Sequence, residues 1–173
     1  PGTLGRPIRQ QDDPVAREAR IQRVVIHIVR VESGPHAERL LGRPYCISGR
    51  VIHGEKLGRK LGYATANIQL KRLKAPLSGI FVVTVDGIGE HPLEGVASLG
   101  IRPTVSSTGV PTLEAYIFDY QGDLYRAHLR VNFLHKLRDE AKFDSLEALT
   151  AQISRDVADA KAYHAALRVQ MAD

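Results

Sequence analysis

The residues from Arg126 to Phe133 show the strictest alternation of polar and apolar side chains in the chain. The apolar positions are every second residue: Ala127, Leu129, Val131 and Phe133. The polar positions lie between them: Arg126, His128, Arg130 and Asn132. Because successive side chains of a β-strand point to opposite faces, this pattern predicts a strand with one buried face. Such a strand needs partners, so the chain is constrained to form a sheet.

Four more segments have the β-branched and aromatic content that is typical of strands. They are Tyr45–His53, Ile80–Val85, Leu93–Leu99 and Leu113–Tyr120. The Asp-Gly pair at 86–87 predicts a turn after the second of these segments. The Gln-Gly-Asp run at 121–123 predicts a turn that joins the last of them to the alternating strand as a hairpin.

The hydrophobic period changes from two to about 3.6 after Asp144. Asp144 is followed three residues later by Glu147, which predicts that Asp144 caps a helix in a capping-box arrangement. The apolar residues then recur at helical spacing: Leu146, Leu149, Ile153, Val157 and Ala160. We therefore expect one packing helix to about Ala165. Several strands followed by one helix predict an antiparallel sheet, closed or nearly closed, with the helix packed on it.

The first third of the chain is its basic part. Residues 1–60 hold twelve of the 24 Lys and Arg residues but only six of the 19 Asp and Glu residues. This excess suits a polyanionic partner, either nucleic acid or the phosphates of a nucleotide. Residues 1–20 lack apolar periodicity and predict a poorly ordered arm, while Arg23–Val31 has strand-like content. We place the start of the main domain near Arg43.

The cysteine content and the hydropathy favour a cytoplasmic protein. Cys46 is the one cysteine, so an intramolecular disulfide is impossible and the reducing cytoplasm is the expected compartment. A small half-buried residue in a strand is the simplest role for it. No apolar run approaches the roughly 20 residues that a membrane-spanning helix needs.

The segment from Gly49 to Asn67 contains the residues that best suit phosphate chemistry. Three glycines at four-residue spacing follow a predicted strand, with cations between them: Gly54, Lys56, Gly58, Arg59, Lys60 and Gly62. Glycine allows backbone N–H groups to approach phosphate oxygens, and the cations add positive charge. The segment lacks the Gly-Lys-Ser/Thr of a Walker A loop. A flexible basic hairpin loop explains the spacing equally well.

Two polar positions after this loop suggest metal and acid–base chemistry. Thr65 and Asn67 offer hard oxygen donors of the kind that Mg²⁺ binds together with substrate phosphates, although such residues in turns often bond the backbone instead. Glu114 shares a strand face with Tyr116 and Phe118, where desolvation could adapt a carboxylate to act as a general base. By pattern alone, a solvent-facing glutamate is the simpler interpretation of Glu114.

A set of longer segments, in order along the chain, resembles one known family. The segments are LLGRPYCISGRVIHG, GRKLGYATANI, GIF, GVASLGIRPTV, LEAYIFDYQGDLY and FLHKLRDEAKFDSLEALTAQI, which is followed by Asp156. From Leu41 to about Ala162 the chain is similar to the riboflavin kinase module of bacterial bifunctional riboflavin kinase/FAD synthetases. The resemblance implies a six-stranded antiparallel Greek-key barrel with a C-terminal helix. It assigns residues 43–168 to this domain and residues 1–42 to an arm or connector remnant.

The resemblance also implies a reaction and a role for each matching residue. The reaction is the Mg²⁺-assisted phosphorylation of riboflavin by ATP to give FMN. The implied roles are ATP binding by Gly54, Lys56, Gly58, Arg59, Gly62, Thr65 and Asn67, Mg²⁺ binding by Thr65 and Asn67, general base catalysis by Glu114, and flavin binding by Arg138 and Phe143. We expect a monomer that binds riboflavin and ATP, without nucleic acid or membrane partners.

Two departures from the family pattern qualify these expectations. Ala64 stands where the family motif has proline, so the turn before Thr65 loses a fixed φ. The adenylyltransferase domain that precedes the module in the bifunctional enzymes has no counterpart in residues 1–35, so FAD synthesis is not expected. A flavin- or nucleotide-binding module without turnover is one alternative. A basic barrel that binds single-stranded nucleic acid is another, but aromatics are only 6% of the residues and tryptophan is absent.

Overall fold

The computed structural model describes residues 42–54, 57–70, 77–102 and 110–171. The predicted arm at 1–20, the strand-like Arg23–Val31 and the predicted nucleotide-binding residue Lys56 lie outside the described residues. The domain boundary near Arg43 stays a prediction.

The described residues form six strands and two helices. In chain order these are β1 (Tyr45–Ile52), α1 (Leu57–Lys60), β2 (Thr65–Ile68), β3 (Gly79–Asp86), β4 (Leu93–Arg102), β5 (Val110–Ile117), β6 (His128–Arg138) and α2 (Leu146–Gln170). The five predicted strands and the predicted helix are present, with shifted ends. The short strand β2 was not predicted as a strand, because four residues are too few to show a period.

The strands close into an antiparallel barrel in the order β1-β2-β5-β4-β3-β6. The consecutive strands β3, β4 and β5 lie side by side, and β6 returns to lie beside β3. This is the Greek-key arrangement. The predicted barrel is therefore confirmed. The predicted hairpin is wrong, because β5 pairs with β2 and β4 while β6 pairs with β1 and β3.

The connection before β6 explains why the predicted hairpin does not form. Its last residues bond to the end of β1: the Val51 N–H donates to the Ala127 carbonyl at 2.9 Å and the Arg126 N–H donates to the Val51 carbonyl at 3.1 Å. These bonds place the start of β6 beside β1, so that β1 lies between β2 and β6. The pairing is therefore set by contacts that are distant in sequence.

The alternation of the strands produces the barrel core. Leu129, Val131 and Phe133 point inward, as predicted, and join the buried residues of the other strands. The largest fully buried side chains are Leu99, Leu113, Leu129, Val82, Val83, Val85 and Val131. Burial of each such side chain stabilises the fold by roughly 1.5–3 kcal/mol.

Helix α2 packs on the outside of the barrel. It contributes Ala160 to a second buried cluster with Val82 of β3, Val96 of β4 and Phe118. The pairing of β6 with β3 is irregular at two points, since it skips Leu134 and Leu137. Both leucines pack against this second cluster. The two irregularities therefore add apolar surface under the helix.

The start and the buried face of α2 differ from the prediction. Ser145 is the N-cap, and its Oγ accepts a hydrogen bond from the Ala148 N–H at 3.1 Å. Asp144 therefore does not have the predicted capping role. The helix continues past Ala165 to Gln170, and its buried residues are Asp156, Ala160 and His164, whereas Leu146 is 54% exposed. Within the described ranges, neither helix is long and apolar enough to cross a membrane.

Candidate active site

Three predicted site residues meet on the outer face of β2 and β5. In β2, Ala66 and Ile68 are buried in the barrel, so Thr65 and Asn67 point outward. Asn67 is the register partner of Glu114 in β5. The Thr65 hydroxyl donates to Glu114 Oε2 at 3.4 Å. The structure thus places the proposed metal ligands and the proposed base side by side.

Thr65 and Asn67 line a cavity of about 460 Å³, whereas Glu114 lies beside Asn67 and is not among the lining residues. Five of the residues predicted to bind the nucleotide line it: Gly54, Arg59, Gly62, Thr65 and Asn67. Ala64, which replaces the family's proline, also lines it. Described residues of the segment that was singled out in the sequence therefore form part of the wall of one concave site.

The segment 54–62 is the glycine loop. Its three glycines, at positions 54, 58 and 62, have different structural roles. A Cβ atom at Gly54 would collide with the side-chain amide of Asn67, so glycine lets this amide lie directly against the backbone. A Cβ atom at Gly58 would collide with the carbonyl oxygen of Tyr63, so Gly58 supports the closure of the loop. Gly62 has a φ of +87°, in the left-handed region that favours glycine.

A second part of the cavity wall was missed by the sequence analysis. It consists of Tyr116 and the segment 119–125, which leads from β5 towards β6. Asp119, at the start of this segment, and Arg126, directly after it, have positive φ angles of 54° and 67°. Non-glycine residues in this region are uncommon and often occur at functional sites.

Aromatic side chains fix the shape of this second wall. The ring of Tyr125 lies 3.9 Å from the ring of His53, centroid to centroid. A Cβ atom at Gly122 would collide with the Tyr120 ring, so this ring lies on the turn backbone. The Asp123 carboxylate accepts a hydrogen bond from the Tyr125 N–H at 2.9 Å. The available sequence signal was two tyrosines around the Gln-Gly-Asp run, which was interpreted only as a hairpin turn.

Arg138, predicted to bind flavin, lies outside the cavity but on the same row of the barrel. Neighbouring register pairs connect Asn67, Glu114, Ser98, Ile80 and Arg138 across five strands. Three strand spacings separate Glu114 from Arg138, which is roughly 14 Å along the barrel surface at about 4.8 Å per step. The two predicted halves of the site are thus joined by one outer-face row.

The side chain of Arg138 binds helix α2. Its Nε and Nη2 donate to the two carboxylate oxygens of Asp156 at 2.8 and 2.6 Å. Its Nη1 donates to the Asp139 carbonyl at 2.9 Å, and its guanidinium carbon lies 5.8 Å from the centroid of the Phe143 ring. Asp156 is only 5% exposed and also accepts a bond from Gln152 at 2.9 Å. The described contacts of Arg138 therefore hold the end of β6 on the helix.

The family model and the sequence relatives identify one family. The family model for riboflavin kinase matches residues 41–164. The bifunctional riboflavin kinase/FMN adenylyltransferase of Pseudomonas fluorescens is 54% identical over 126 residues, which are 73% of this chain and 40% of that protein. The chain thus spans about two fifths of the length of this relative.

Solved structures share the barrel. A crystal structure described as a macrolide-efflux protein from Streptococcus pneumoniae superposes with a TM-score of 0.65 and 30% identity, over 87% of this chain and 47% of that one. The riboflavin kinase of Trypanosoma brucei superposes with a TM-score of 0.50 and 28% identity, over 69% of this chain and 79% of that one. Because the family model covers more than half of the chain and its residues form this barrel and this site, the chain belongs to the riboflavin kinase family.

Proposed function

We propose that this chain transfers the γ-phosphoryl group of ATP to the 5′-hydroxyl of riboflavin, giving FMN and ADP. The observation that carries the proposal is the convergence of Thr65, Asn67 and Glu114 on one outer face, beside a cavity formed by the glycine loop. Membership of the riboflavin kinase family supplies the substrate class.

The cavity suits the nucleotide. Its volume of about 460 Å³ lies within the roughly 300–1,000 Å³ that is usual for small-molecule sites. The exposed Arg59 places positive charge at its rim. Gly62 carries no side chain, and no atom lies within 4 Å of the place where its Cβ would be, so phosphate oxygens can approach its backbone. We therefore assign the phosphates to the loop wall and the rest of the nucleotide to the remainder of the cavity.

The residues at the cavity edge fit a magnesium ion. Thr65 and Asn67 present neutral oxygen donors, and the contact with Gly54 fixes the amide of Asn67. Mg²⁺ typically takes few protein ligands and completes its shell with phosphate oxygens and waters. When bound, the ion would neutralise charge on the transferred phosphoryl group.

Glu114 is the proposed general base. The Thr65 hydroxyl bonds its carboxylate at 3.4 Å and orients it on the outer face of β5. In the reaction, the ribityl 5′-oxygen forms a bond to the γ-phosphorus while the bond between that phosphorus and the ADP oxygen breaks. The proton of the 5′-hydroxyl passes to Glu114, which must lie within hydrogen-bond reach of that hydroxyl.

The flavin is assigned to the row that leads away from Glu114. Ser98 and Ile80 separate Glu114 from Arg138 along this row, and both are half-buried. The ribityl chain would extend from the base along this surface, and the ring system would lie towards Arg138 and Phe143. Arg138 would then help to bind the flavin by fixing the end of β6 on α2.

An FMN-formation assay tests the proposal. Purified protein is incubated with riboflavin, ATP and Mg²⁺, and FMN is separated from riboflavin by chromatography. We expect FMN only with metal present, and we expect Glu114→Gln to lower kcat by roughly 100-fold or more with little change in riboflavin affinity. The matched control is Glu90→Gln, at an exposed loop position.

The outcomes of this assay separate the function from the role of Glu114. Absence of FMN in the unmodified chain, with riboflavin still bound, would leave a flavin-binding module without turnover. Normal turnover in Glu114→Gln would keep the kinase function but remove Glu114 as the base.

A further inference from the structure

The glycine loop is closed onto the backbone of one residue, Tyr63. The Tyr63 N–H donates to the Gly58 carbonyl at 2.8 Å, and the Leu61 N–H donates to the same carbonyl at 3.0 Å. The Tyr63 carbonyl oxygen in turn occupies the space where Gly58 would carry a side chain. Because both the N–H and the carbonyl of Tyr63 contact Gly58, we take the position of Tyr63 to set the position of the segment 58–62 beside the cavity.

Beside Tyr63, the Gly62 N–H donates to the Arg59 carbonyl at 3.2 Å, a bond that stays within the loop and does not join it to the barrel or the helix α2. Gly62, on one side, has a positive φ that glycine adopts freely. Ala64, on the other side, leaves φ unrestricted by a ring. Regular strand pairing begins only at Thr65, which pairs with Tyr116. The side chain of Tyr63 is therefore the element best placed to fix the loop.

Two contacts hold this side chain. Its ring lies edge-on to the ring of Tyr116, with a centroid distance of 5.4 Å. Its hydroxyl lies 2.8 Å from the hydroxyl of Ser154 on α2. Ser154 donates its own proton to the Thr150 carbonyl at 2.9 Å, so Tyr63 is the donor in the bond to Ser154. The bond joins the loop to the helix across 91 residues of sequence.

We propose that Tyr63 and Ser154 form a positioning pair that fixes the glycine loop on α2 for nucleotide binding. Neither residue lines the cavity, so both are positioning residues. Asp156, which binds Arg138, lies two residues after Ser154. One short stretch of the helix therefore contacts both the glycine loop, through Ser154, and the end of β6, through Asp156. The inference rests on the proposed kinase function and adds two residues to its site.

The test is a double-mutant cycle with Tyr63→Phe, Ser154→Ala and both together. Tyr63→Phe keeps the ring contact with Tyr116 and removes only the hydroxyl. A net contribution of about 1 kcal/mol from one hydrogen bond corresponds to roughly a 5-fold change in affinity. We expect each single variant to raise the KM for ATP about 5-fold, with kcat and the KM for riboflavin within about 2-fold of the unmodified chain. The double variant should be no worse than either single one.

A binding measurement separates this inference from the proposed function. The Kd of ADP with Mg²⁺, measured by calorimetry, should rise about 5-fold in the same three variants whether or not FMN is formed. Tyr163→Phe is the matched control, because Tyr163 lies elsewhere on α2 and its ring stacks on His135 of β6. The ADP affinity of this variant should not change. An unchanged Kd in Tyr63→Phe, or fully additive effects in the double variant, overturns the positioning pair. Failure of the unmodified chain to bind ADP overturns both proposals.

Discussion

The ion pair between Arg138 and Asp156 gives the sharpest stability prediction. Replacing Arg138 with methionine removes two charge-assisted hydrogen bonds, of 2.8 and 2.6 Å, from a carboxylate that is 5% exposed. Removing one partner of a buried pair typically costs about 3–5 kcal/mol, since the other charge is left buried without compensation. Gln152 still donates to Asp156, and the side chain of Arg138 is itself 24% exposed. We therefore expect the lower end, about 3 kcal/mol.

Urea denaturation followed by far-ultraviolet circular dichroism measures this loss. At about 2–4 °C per kcal/mol for a chain of this size, the same change should lower Tm by about 6–12 °C. The matched control is Arg130→Met, which removes an exposed arginine from the same strand and should change the free energy of unfolding by less than about 0.5 kcal/mol.

A compensating variant tests the cause. Arg138→Met combined with Asp156→Leu replaces the pair by apolar side chains, which is often neutral or stabilising, so most of the lost stability should return. A loss below about 1 kcal/mol in Arg138→Met, or a double variant no more stable than the single one, would refute the reasoning. The first result would mean that water reaches Asp156 readily enough to replace the arginine.

The remaining predictions concern the metal side of the site. Thr65→Ala should raise the Mg²⁺ concentration needed for half-maximal FMN formation about 10-fold, because one of two proposed protein ligands is lost; an unaltered metal titration would contradict the ligand assignment. Gly54→Ala should also raise the Mg²⁺ requirement, because the added Cβ displaces the amide of Asn67. Its control is Gly89→Ala, where the added Cβ meets no atom within 4 Å; equal metal titrations for these two variants would show that the contact between Gly54 and Asn67 is unimportant.

Local sequence patterns were enough to predict five of the six described strands and the presence of the helix α2. The alternation from Ala127 to Phe133 appears as the inward and outward faces of β6, since the two-residue period is a property of any extended chain. The resemblance to the riboflavin kinase family identified the glycine loop together with Thr65 and Asn67. These residues lie within 14 positions of one another, so the sequence already shows them as one motif.

Only the tertiary structure decided how the elements pair and which helix face is buried. The pairing of β5 with β2 and β4 depends on contacts far apart in sequence, and a turn-like Gln-Gly-Asp run does not reveal them. Hydrophobic spacing predicted Leu146 on the packing face, yet Asp156 and His164 are the buried side chains with Ala160. A charged residue becomes buried when a partner from another element meets it, here Arg138 of β6. Arg138 lies 18 residues from Asp156 and Ser154 lies 91 residues from Tyr63, so these two bonds follow only from the folded chain.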